Sequence, residues 1–145
     1  MMIGQTNLSA KNANFTTRNI ARYILVALAA FNGLIALGLG VWMLTDTSGA
    51  LKAFNITYVP ELSVVGRGSG GLLVLMAALS FVSIVWLLRG KIEGILVPAA
   101  YAIFLVTVSL MDFSSTGSIN IMLVDGSRGL LTVVAAVFAY REMTS

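Results

Sequence analysis

Five charged residues stand at the borders of apolar stretches, and their types are the ones that could do chemistry: Glu61, Arg67, Asp112, Asp125 and Arg128. Glu61 and Arg67 precede or open one apolar stretch, and Asp112 closes the next. Asp125 and Arg128 lie three apart, so a helix would put them on one face. Carboxylates beside guanidiniums can form a buried ion-pair network that fixes helix register. They can also line a small polar cavity, open to one side, that binds an anionic or polar ligand. Both readings stand at the level of sequence. The chain contains no His and no Cys, so it lacks the commonest general base, thiolates, and the usual ligands of zinc, copper and haem. No catalytic constellation is evident, and no metal or haem site is expected from this chain alone.

Other motifs read as packing. Gly66-Arg-Gly-Ser-Gly-Gly71 spells G-x-G-x-x-G, but a dinucleotide site needs a preceding strand and an acid about 20 positions on. An apolar stretch follows instead, and small residues such as Gly70 and Gly71 let helix backbones approach closely within a membrane. Gly33 and Gly40, with Ala29 and Ala36, suggest a similar face on the first stretch; Thr132, Ala135, Ala136 and Ala139 suggest one on the last. Asn32, in mid-stretch, reads as a hydrogen-bond partner between helices. Asn14-Phe-Thr16 and Asn55-Ile-Thr57 fit the glycosylation pattern, which is common by chance.

The elements that must position these residues follow from composition. Of 145 residues, 58% are hydrophobic and 10% charged, against about 45–50% and about 25% in soluble domains. Mean hydropathy is +0.94. Such a chain has too little polar surface to cover a core in water. About 20 apolar residues cross the roughly 30 Å of a bilayer's hydrocarbon, and four stretches qualify: about 20–44, 66–88, 92–111 and 119–140. The expected fold is an all-α, integral membrane four-transmembrane-helix bundle spanning 20–140. A polar N-terminal arm (1–19) precedes it and a short tail (141–145) follows. Residues 45–65 form a polar connection in which Leu51, Phe54 and Tyr58 could lie on the interface, before Pro60 turns the chain. The fourth span is taken as the longer choice, which places Asp125 and Arg128 inside it. Lys11, Arg18, Arg22, Arg89, Lys91 and Arg141 then gather on one side, and Lys52, Arg67 and Arg128 on the other. The excess of basic residues puts both termini in the cytoplasm. The net charge of +3 is too small to indicate nucleic acid.

Four spans in this order resemble the DoxX-like group of small bacterial membrane proteins. The resemblance rests on Glu61, Arg67, Gly70 and Gly71 around the second span, and on Asp125, Gly126, Arg128 and Gly129 leading into the fourth. It implies a bacterial inner-membrane protein, mostly of unassigned activity, with some relatives serving as quinone-linked oxidoreductase subunits. Two functions are therefore expected. The first is a non-enzymatic accessory or structural subunit of a larger membrane complex, whose partners are lipids and other membrane subunits or copies of itself. The second is a ligand-binding or redox-associated protein that uses the charged cluster with a quinone or lipid. A small transporter is the weaker third reading, because transporter sites are expected near the midplane, where Asn32 is almost alone.

Overall fold

Among the described residues, four helical stretches are long and apolar enough to cross a membrane: Ile20–Thr45, Leu62–Leu88, Ile92–Ser115 and Leu123–Thr144. They come from a computed structural model that describes residues 19–117 and 119–145. The N-terminal arm with Lys11, Arg18 and the Asn14 triplet lies outside the described residues. Every regular element among the described residues is helical.

Helix α1 (Ile20–Thr45) has no side-chain cap of its own. The far end of the chain supplies one: Ala21 N and Arg22 N donate to Glu142 Oε1 and Oε2, each at 3.2 Å. A carboxylate at a helix N-terminus satisfies orphan amides and complements the helix dipole. The same contact brings the start of the first span beside the end of the fourth, as an up-and-down bundle requires. Helix α2 (Thr47–Ala53) follows at once, capped by Asp46, whose Oδ1 accepts from Gly49 N at 3.0 Å. Phe54 and Tyr58 lie beyond it, in the loop that Pro60 turns.

Helix α3 (Leu62–Leu88) starts one turn earlier than the apolar run suggests. Ser63 and Arg67 are polar, but their backbone amides still join the helix, because Pro60 and Glu61 turn the chain just before it. The helix ends in a Schellman cap: Gly90, at φ 72°, donates to Leu87 O, and Lys91 N donates to Trp86 O at 2.8 Å. A 3₁₀ turn (Ile92–Ile95) leads into α4 (Leu96–Thr116). Pro98 sits in its first turn, where its missing N–H breaks no helical bond. The span reaches Thr116 rather than Met111, and helix is present again from Ile119, so most of the expected polar connection at 112–120 is helical. Asp112 stands inside the last turns of α4 instead of closing it. Ser114 and Ser115 continue the helix with each hydroxyl satisfied by a carbonyl three residues earlier. Gly117, at φ 66°, then caps it. The fourth span opens with a single turn (Ile119–Ile121) and a π-helical turn (Met122–Gly126), then runs as α5 (Ser127–Thr144). It ends four residues past the expected Tyr140.

The most intimate packing joins α1 to α3; α4 packs on α5, and α5 on α1. Glycines make the approach close. A Cβ on Gly40 would stand 2.8 Å from Gly70 O, and one on Gly70 2.9 Å from Gly40 O. Gly129 plays the same part on α5, where a Cβ would lie 2.9 Å from Ala102 O on α4. Leu25, Leu87, Ile95, Ala135, Ala136 and Ala139 form an apolar core toward the termini. Ala36, Ala77, Tyr101 and Leu105 form a second core farther along.

Candidate functional site

The polar chemistry inside the bundle converges on α5. Arg128 Nη2 meets Asp125 Oδ1 at 3.0 Å, with the Arg128 side chain 13% exposed and that of Asp125 36% exposed. The π-helical turn carries Asp125 and hands over to the regular helix just before Arg128. One turn farther on, Thr132 donates from Oγ1 to Arg128 O at 2.9 Å. The same oxygen accepts from Asn32 Nδ2 on α1 at 3.3 Å. Asp125, Arg128, Thr132 and Asn32 thus form one polar ladder across two helices. Asn32 stands roughly 18 Å from the start of α1, and Arg128 roughly 24 Å from the end of α5, at 1.5 Å per residue. The longer α5 places Arg128 farther from the termini end of the bundle than a helix ending at Tyr140 would.

The ladder ends in two buried atoms that have no hydrogen-bond partner among the described residues, Arg128 Nε and Asn32 Oδ1. Tyr101 on α4 is buried within electrostatic reach of both Arg128 and Asp125. Its other side lines an apolar groove of about 420 Å³ between α1, α3 and α4, shared with Met43, Leu72, Leu73, Met76 and Phe104.

The five charged residues are not brought into one cluster. Asp125 and Arg128 pair; Glu61 and Arg67 are exposed at the start of α3, outside any ion pair among the described residues. Asp112 is partly buried near the end of α4. Helix geometry explains the separation, since α3 turns Arg67 away from the face that carries the buried Gly66 and Gly70. Of the small residues, Gly33 packs against Ser80, Gly40 and Gly70 meet each other, and Ala135 and Ala139 are core residues. Gly71 lies one step round from Gly70, and a Cβ there would enter open space. Thr132 links the interior hydrogen bonds, although by sequence it looked only like one more small residue. Its position four after Arg128 and its hydroxyl were the signal. Among the described residues no group of acids could hold a metal ion.

At the termini end, Arg22 lies over the Tyr23 ring at 5.3 Å, and its Nε is buried without a partner. Compared with known protein families, with curated proteins and with solved structures, the chain finds no match.

Proposed function

We propose that this chain is a non-enzymatic accessory subunit of a larger assembly in a bacterial inner membrane, with both termini in the cytoplasm. The observation that carries this reading is the outer face of α3. Gly68 and Gly71 are exposed, with nothing within 4 Å of a Cβ at either position. A helical glycine costs up to about 1 kcal/mol against alanine. Gly40 and Gly70 recover that cost through close backbone approach inside the bundle; Gly68 and Gly71 recover nothing within this chain. A transmembrane helix of another subunit packed on this face would recover it. The surface is available for such a role, because 22 to 39% of each span's apolar window is buried within the chain.

Gentle detergent extraction from native membranes, followed by mass measurement, tests the proposal. Another subunit should copurify in fixed ratio, and Gly68→Leu with Gly71→Leu should release it without lowering the thermal stability of the bundle. Recovery of the native chain as a lone monomer, or unchanged copurification of the variant, would overturn it. The orientation rests on the basic residues Arg22, Arg89, Lys91 and Arg141 at the termini end. A single cysteine at position 52 should be labelled from outside the cell; labelling from the cytoplasm reverses the assignment.

The groove beside Tyr101 favours a second reading, a binding protein for a membrane amphiphile such as a quinone or lipid. Its walls are nearly all apolar, which suits a prenyl or acyl tail. In the same mass measurement, a stoichiometric small molecule and no protein partner would favour this reading over the first.

A further inference from the structure

The two unpartnered atoms of the polar ladder differ in kind. Arg128 Nε has a hydrogen to donate, whereas Asn32 Oδ1 offers lone pairs. Asn32 is 1% exposed, and its amide nitrogen is already committed to Thr132. Thr132 cannot turn to serve Oδ1, since its single hydrogen goes to Arg128 O. Buried polar groups left in this state cost about 1–3 kcal/mol each, and charged ones more. Lipid tails cannot relieve the cost. A guest that accepts from Arg128 and donates to Asn32 must carry both a lone pair and a polar hydrogen, and the smallest is water. Buried waters typically make about three hydrogen bonds to otherwise unsatisfied groups.

We propose that water enters the bundle at Asp125, passes Arg128 and reaches Asn32, forming a blind hydrated inlet that ends near the middle of the membrane. The direction follows from burial. Side-chain exposure falls from 36% at Asp125 to 13% at Arg128, and Thr132 and Asn32 are closed off at 0% and 1%. The π-helical turn Met122–Gly126 lies at the mouth. Such turns relax the regular backbone ladder and recur at functional positions. Toward the termini the interior becomes Leu25, Leu87, Ala136 and Ala139, and the buried Ser83 hydroxyl there is already committed to Gly94 O. The inlet therefore stops at Asn32 and does not cross the membrane. It accounts for a guanidinium within a span without needing either a ligand or a partner subunit.

Water-edited solid-state NMR on the full chain in lipid bilayers tests this directly, because it times magnetisation passing from water protons to each residue. Arg128, Thr132 and Asn32 should receive it as fast as loop residues such as Thr57, while Leu25 and Ala136 lag. Asn32→Leu should lose the transfer at Thr132 and keep it at Arg128. If native Thr132 and Asn32 are as slow as Ala136, the inlet does not exist. Slow transfer from water combined with fast transfer from lipid headgroup protons would assign the site to a lipid and equally overturn the proposal.

Discussion

Asn32 on α1 donates to the hydroxyl of Thr132 on α5 across 3.3 Å, one hundred residues away in sequence. Both side chains are fully buried, so this bond sets how the first and last spans face each other. Hydrogen bonds between membrane helices are worth about 0.6 kcal/mol on average, and up to about 1.7. Thr132→Val removes the acceptor and strands the Asn32 Nδ2 donor, whereas Asn32→Leu removes that donor as well. Thr132→Val should therefore destabilise the bundle more. A double-mutant cycle, read by reversible unfolding in mixed micelles, should return a coupling of about 0.6 kcal/mol. Strictly additive single effects would remove the bond from any structural role.

The Asp125–Arg128 pair should behave asymmetrically. Asp125→Asn leaves a cation inside the bundle without its counter-charge, and breaking a fully buried pair in this way costs about 3–5 kcal/mol. Water screens part of the effect, since the Asp125 side chain is 36% exposed, and the loss should fall below that range. Adding Arg128→Met to Asp125→Asn should then recover stability, because the stranded charge is gone. A double variant less stable than Asp125→Asn alone would show that Arg128 has another anionic partner.

Much of this fold is written in the sequence, because membrane spans announce themselves by length and apolarity. The first span ends within one residue of its apolar run. The boundaries that differ are those set by hydrogen bonds rather than hydropathy. Ser114 and Ser115 are tolerated in α4 because their hydroxyls bond back along the helix, and Glu142 caps α1 from the fourth span. The pairing of Asp125 with Arg128 was legible from their spacing of three. The dispersal of Glu61 and Arg67 was not, because it depends on how α3 is rotated against α1, and the small residues on both its faces leave that rotation open.

Adjacent glycines on α3 should respond in opposite directions. At Gly70 a new Cβ would lie 2.9 Å from Gly40 O and 3.0 Å from the Met43 Cβ. Backbone cannot step aside cheaply, so Gly70→Ala should push α1 and α3 apart and cost about 1–3 kcal/mol, the range for overpacking. At Gly71 the Cβ enters open space. Gly71→Ala should gain up to about 1 kcal/mol from helix propensity alone. Thermal unfolding of the two variants side by side checks the contrast, and equal responses would mean that α3 is rotated differently in the bilayer.

Asp46 gives the connection between the first two spans a pH dependence. The Gly49 amide, then the Ser48 hydroxyl, bond its carboxylate and hold its pKa below the usual 3.8. A depressed carboxylate stabilises the folded form above its unfolded value, and that contribution disappears as pH falls through the lowered folded value. Helix α2 should therefore stay capped at neutral pH and begin to fray only below about pH 3.8, while the spans persist. Amide exchange at residues 49–53 should rise in that window relative to α1. Asp46→Asn keeps an acceptor at the cap but has no proton to gain, so its exchange should be flat across the same range. Fraying that sets in well above pH 4, or identically in the Asn variant, would place the sensitivity in some other group.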